Sequence, residues 1–138
     1  MTQTYKTFED LRDALLYKRI IKWDTDELTL DTGETLKIIE VDSECDAHAG
    51  GRFNELFIEL DAMITDVKLI NVRGGFEYDS FTTRAELMIY NNLNPIALAE
   101  LEEDQGNLSY YYSVVGATLA DEIYTLIESD MLDDTMYD

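Results

Sequence analysis

Apolar and polar positions follow two periods along this chain, and the changes between them predict its elements. Thr7 with Asp10 three positions later forms a capping-box pattern, and Phe8, Leu11, Leu15 and Leu16 then recur at helical spacing. This predicts a first helix over residues 8–18. Shorter, β-branched runs follow at Ile20 to Trp23, Leu28 to Leu30 and Thr35 to Val41, with Asp31-Thr32-Gly33-Glu34 supplying turn chemistry between the last two. A strand and a hairpin are expected there.

The stretch DSECDAHAGGRF reads as a loop or a close approach of backbones, because small residues and two glycines dominate it. Phe53, Leu56, Phe57 and Leu60 repeat at i, i+3, i+4 and i+7, a helical spacing too short to exclude a strand. Ile64 to Val72 alternates and is read as a strand ended by Gly74-Gly75, and Ala85 to Tyr90 as another. Asn91 to Pro95 is read as a loop, since proline fixes its own φ and restricts the residue before it. Ile96 to Leu101 and Ser109 to Val115 suggest a hairpin around Asp104-Gln105-Gly106-Asn107. Thr118 with Asp121 repeats the capping pattern, and Leu119, Ile123, Leu126 and Ile127 predict a C-terminal helix, with a frayed acidic tail from about residue 129. The expected fold class is α+β: a single domain over residues 1–138, mostly antiparallel β-sheet with an N-terminal and a C-terminal helix.

Composition changes this picture mainly through charge. Thirty acidic residues against ten basic ones give a net charge of −20, while 46% apolar residues keep the chain in the folded class. Residues 1–22 hold five basic side chains (Lys6, Arg12, Lys18, Arg19, Lys22) against Glu9, Asp10 and Asp13, a net of +2. From Ala85 to the end there is no Lys or Arg, and twelve carboxylates fall there. A uniform spread over about 7,000 Å² would leave net charges nearly 20 Å apart. Screening at physiological salt acts over about 8 Å, so only clustering produces a strong local field. Such a chain repels nucleic acid and anionic membranes and attracts basic surfaces. The single cysteine, Cys45, excludes an internal disulfide framework and suits a reducing compartment, and no run is long and apolar enough to span a bilayer. A cytoplasmic location in a host cell is the expectation.

Candidate chemistry is sparse. Cys45 and His48 could pair as nucleophile and base, but a dyad also needs an oxyanion hole and an orienting group. One Cys and one His cannot make a four-ligand zinc site. Asp42, Glu44 and Asp46 alternate like the opening of a calcium loop, yet Ala47 stands where that loop needs glycine and Phe53 where it needs a bidentate Glu. No phosphate-cradling glycine pattern and no nucleophile elbow occur. No cofactor, metal or catalytic residue is therefore expected.

The segment ELEEDQGNLSYYYSVV, from Glu100, carries the most distinctive surface chemistry. Glu100 and Glu102 sit at alternate strand positions about 6.6 Å apart, comparable to two phosphate steps along DNA, about 6.8 Å. In a strand Tyr110 and Tyr112 face one side and Tyr111 the other, so at least one tyrosine faces solvent, where its apolar body and polar tip suit an interface.

LTLDTGETLKI, DSECDAHAGGRF, AMITDV and DQGNLSYYYSVV together resemble a family of small uncharacterised proteins encoded by bacteriophages and their hosts. That family shows a Leu-Asp-Gly hairpin, a Cys-Ala-x-Gly loop, an Ile-Thr-x-Val strand and a Gly-Asn-x-x-Tyr-Tyr segment. The resemblance covers roughly residues 28–116, and Glu44-Cys45 stands where members often pair two cysteines. It implies a phage or prophage setting and no activity. Small acidic phage proteins are often inhibitors of host defence nucleases, anti-CRISPR proteins among them.

The reading that results is a non-enzymatic inhibitor that occupies a basic nucleic-acid site on a host protein, by DNA mimicry. It would use Glu100, Glu102, Glu103, Asp104, Asp130, Asp133 and Asp134 for charge and Tyr110, Tyr111 and Tyr112 for contact. The protein itself would bind neither nucleic acid nor membrane and could form homo-oligomers. The alternatives are a small-molecule or metal-binding module centred on residues 42–51, a phage structural component, and a cysteine-dependent enzyme.

Overall fold

A computed structural model describes residues 5–43, 48–54, 58–77, 80–104 and 113–128. Helix α1 spans Phe8–Leu15, and nine strands follow: β1 Ile20–Trp23, β2 Glu27–Leu30, β3 Thr35–Ser43, β4 His48–Phe53, β5 Asp66–Glu77, β6 Ser80–Asn91, β7 Asn94–Asp104, β8 Ser113–Leu119 and β9 Glu122–Glu128. They form two antiparallel sheets, ordered β1-β2-β3-β8-β9 and β4-β7-β6-β5. The inward faces of both sheets meet in one apolar cluster. Leu28, Leu36 and Val115 contribute from one sheet, and Phe53, Leu87 and Leu101 from the other. The α+β class, the antiparallel sheets and the N-terminal helix are thus present.

Local chemistry explains where the first elements begin and end. The Thr7 side chain accepts from the Asp10 amide while the Asp10 carboxylate accepts from the Thr7 amide, closing the capping box reciprocally. The helix stops at Leu15, three residues before the expected end, because the backbone beyond it is captured elsewhere. Tyr17 donates to Ile64 O at 2.7 Å, and Ile64 donates to Lys18 O at 2.7 Å. Leu11 and Leu15 are fully buried, and α1 packs against β5 and β9, one edge strand of each sheet. The helix therefore closes the seam that the strands leave open. The β2–β3 hairpin turns at Asp31 to Glu34, where Gly33 takes a φ of +89° that glycine adopts without strain.

The C-terminal helix is a correction. Residues 113–128 form the β8–β9 hairpin instead, turning at Ala120 and Asp121, both in the left-handed region (φ 52° and 67°). Leu119, Tyr124 and Leu126 alternate into the core, and the β-branched Ile123, Thr125 and Ile127 favour a strand, so a spacing compatible with a helix is overridden by sheet packing. The tail from residue 129 lies outside the described residues.

Five further boundaries differ from the sequence reading. The loop expected from Asp42 to Phe53 begins inside strand β3 and gives way at His48 to strand β4, while residues 44–47 lie outside the described residues. The close approach is real at Gly51: a Cβ there would stand 2.5 Å from Glu100 O and 2.8 Å from Ile38 Cγ2. Phe53 ends β4 and Leu60 lies in a turn, so neither belongs to a helix, and residues 55–57 lie outside the described residues. Strand β5 continues through Gly74-Gly75 to Glu77. Only Asn92 and Leu93 turn between β6 and β7. Pro95 sits inside β7 opposite Tyr90, at a register shift where the missing N–H does not break the ladder. Finally, β7 and β8 belong to different sheets, so the expected 96–115 hairpin does not form.

A candidate arginine–glutamate groove

Strand alternation decides what the acidic segment offers. Along β7, Leu101 and Glu103 turn inward, and Glu100 and Glu102 outward. Register then fixes their neighbours on the outward face. Glu100 lies between Arg52 of β4 and Glu86 of β6, and Glu102 lies between Gly50 of β4 and Arg84 of β6, with Arg73 of β5 opposite Arg84.

These side chains line a groove of about 600 Å³ with Gly50, Gly51 and Leu101 in its floor and walls. Three ion pairs cross it. Arg73 Nη1 donates to Glu86 Oε2 at 2.9 Å, and also to Asn71 O at 2.7 Å. Arg52 Nε meets Glu100 Oε2 at 3.4 Å, and Arg84 Nη2 meets Glu102 Oε2 at 3.7 Å. A charge-assisted N–H···O bond closes to about 2.7–2.9 Å, so the last two pairs are loose. Arg52 is 75% exposed, and exposed pairs of this kind contribute about 0–1 kcal/mol. Gly50 has a negative φ and nothing within 4 Å of where a Cβ would stand, so the position beside Glu102 is open space rather than a packing requirement. Glycine at 50 widens the groove, whereas glycine at 51 lets β4 pack.

The expected contact residues divide accordingly. Glu100 and Glu102 share the groove, but each has an arginine beside it, so neither presents the bare negative charge expected from a segment without basic residues. Glu103 is 0% exposed and faces inward opposite Thr83, which removes it from any contact surface. Asp104, half-buried, ends β7 opposite Thr82 and His48. Tyr110, Tyr111, Tyr112, Asp130, Asp133 and Asp134 lie outside the described residues, as does Cys45, and the structure does not describe the His48 side chain. Among the described residues no group of three His, Cys, Asp or Glu is placed to hold a metal ion, and no helix is long and apolar enough to cross a membrane.

Arg52, Arg73, Arg84 and Glu86 were not singled out from the sequence. The available signal was the alternation Arg84-Ala85-Glu86 and Glu100-Leu101-Glu102, but the observed register sets Arg84 opposite Glu102 and Glu86 opposite Glu100, so charge pairing alone does not select it.

Outside the groove the carboxylates with the clearest electrostatic partners are structural. Hydrogen bonding from the Arg12 guanidinium at 2.9 Å holds the Asp66 carboxyl below its ordinary value, and Lys18 Nζ at 2.7 Å does the same for Glu34. Lys18 and Arg19 dock within their own chain, the latter donating to Asp61 O at 2.7 Å.

The chain belongs to the family described as Domain of unknown function (DUF7448), whose model matches residues 13–116, a span that contains every charged residue of the groove. No curated protein and no solved structure matches it.

Proposed function

We propose that the protein works by binding rather than catalysis, and that it captures a basic partner through the arginine–glutamate groove on the outward face of β4-β7-β6-β5. The observation that supports this most directly is the groove itself. It brings Glu86, Glu100 and Glu102 together with three arginines, a residue type enriched at interface hot spots. A net charge of −20 supplies long-range attraction to a cationic partner, which raises association rate more than final affinity. This reading departs from simple DNA mimicry, because Glu100 and Glu102 are paired and Glu103 is interior. The resemblance to phage-encoded proteins makes a cytoplasmic nucleic-acid-binding protein of the host, such as a defence nuclease, the partner class to test first.

The test is capture on immobilised protein from host lysate, eluted by a salt gradient. The partner should elute between about 50 and about 300 mM salt, the range over which screening shortens from beyond 10 Å to well below it. Capture should fall several-fold for the double variant Glu100→Gln, Glu102→Gln. Retention of the same protein by the variant, or elution only above 1 M salt, refutes the reading.

A further inference from the structure

The edges of the two sheets differ in how the chain closes them. The outer edge of β4 is occupied, with Ala49 donating to Glu40 Oε1 at 3.0 Å and Phe53 to Thr25 O at 2.9 Å. On β9, Lys6 bridges the edge, donating to Ile123 O and accepting from the Thr125 amide, both at 2.9 Å. Strand β1 is four residues long and is joined at Ile20 by the Asp61 amide. Strand β5 is twelve residues long, and α1 packs against it where Arg12 meets Asp66. From Arg73 to Phe76 it is exposed, and among the described residues no backbone hydrogen bond other than those from β6 reaches it there. Phe76 is 66% exposed and touches Phe81 edge-on with ring centroids 5.2 Å apart, and nothing lies within 4 Å of where a Cβ on Gly75 would stand. An open apolar edge of this kind is a template for another strand.

We infer that this edge pairs with the same edge of a second copy of the chain, antiparallel about a two-fold axis at Gly75, joining two four-stranded sheets into one. The stretch Arg73-Gly74-Gly75-Phe76-Glu77 is self-complementary about that centre. Gly74 and Phe76 face inward beside their β6 partners Thr83 and Phe81, both buried, while Arg73 and Gly75 face the groove side. Opposed residues of an antiparallel pair share a face, so Phe76 of each copy lies across Gly74 of the other. An aromatic ring laid over a glycine restores the packing that the glycine lacks. An axis at Gly74 or at Phe76 loses this match. The register at Gly75 also sets Arg73 opposite Glu77 of the second copy, positions of opposite charge. Arg73 keeps its bonds to Glu86 and to Asn71 O, since the match needs only the sign of its charge. From Arg73 to Phe76 there is no carboxylate, so a chain of net charge −20 can approach itself here without direct repulsion between opposed side chains. Because the axis runs through the sheet, both outward faces lie on one side and the two grooves face the same way, a bivalent surface.

Analytical ultracentrifugation of the intact protein provides the test. It should show a monomer–dimer equilibrium that moves toward dimer as salt rises from about 0.1 to about 0.5 M, because screening weakens the long-range repulsion between two acidic copies. Partner capture through the groove has the opposite salt response, so the two are distinguishable. Phe76→Lys, at an exposed side chain, should weaken the dimer at least about tenfold while leaving the far-ultraviolet circular dichroism unchanged. In a Cys45→Ser background, Gly75→Cys should form an intermolecular disulfide under mild oxidation, since position 75 meets itself across the axis. Gly50→Cys in the same background, on the opposite edge strand of that sheet, should not. A protein that is monomeric at every concentration and salt, a dimer that Phe76→Lys leaves intact, or equal cross-linking at positions 75 and 50 overturns the inference. None of these outcomes bears on the groove as a binding site for a basic partner.

Discussion

Neighbouring glycines in β4 do opposite things. A side chain at Gly51 would collide with the backbone of β7 and with Ile38, and overpacking of this kind costs about 1–3 kcal/mol. Gly51→Ala should therefore lower stability to denaturant by that amount, while Gly50→Ala stays within about 0.5 kcal/mol of the parent. Acid sensitivity is also decided residue by residue. A carboxyl whose folded-state pKa lies below its unfolded value adds stability that is complete above the unfolded value and is lost as pH falls through the folded one. Asp10 and Asp66 lie below 3.8 and Glu34 below 4.5, so their contribution declines once pH drops under about 4.5 and continues to fall below 3.8. Asp66→Asn should lower Tm at pH 6 and flatten the dependence of Tm on pH below about 3.8, because the Arg12 pair is already gone. A parallel shift at every pH would show that Asp66 acts through something other than its charge.

Elements were legible where a local signal and the tertiary contacts agreed. The capping box at Thr7 and Asp10, strands β1 to β3 and the Gly33 turn could be read because each is specified within a few residues. The C-terminal hairpin could not, since Thr118 and Asp121 imitate a helix cap and Leu119, Ile123, Leu126 and Ile127 fit a helical face. What overrides them is a vacant position beside β8, which only the assembled sheet supplies. The turn residues are the weak point of that hairpin. Ala120 in the left-handed region is unfavourable, a cost of about 1–2 kcal/mol for residues with a Cβ. Replacing Ala120-Asp121 by Asn-Gly, the pair favoured in two-residue hairpins, should raise stability by about 1 kcal/mol without altering the groove. Unchanged or lower stability would mean that the turn is held by its surroundings.

At the scale of the molecule, the twenty surplus negative charges belong to the chain as a whole, and the groove is locally neutral. Arg52, Arg73 and Arg84 offset three of the carboxylates that the basic-free C-terminal half could not offset from within. The remainder repel one another. Raising salt from 0.1 to 1 M shortens the screening length from about 10 Å to about 3 Å, and this should raise Tm at pH 7 because more repulsion than attraction is screened. A fall in Tm would show that the surface ion pairs outweigh the net charge.

The sequence by itself determined the sign of the global field, the first helix and its cap, the early hairpin and the placement of Glu100 and Glu102 at alternate positions of one strand, because each depends on composition or on neighbours within a few residues. Only the tertiary structure decided that Glu103 points inward, that the last apolar run is a strand, and that arginines 16 to 50 residues away in the chain stand beside the acidic segment. Those depend on strand order and register, which are set by packing two sheets around one core and are not written in any local stretch of the chain.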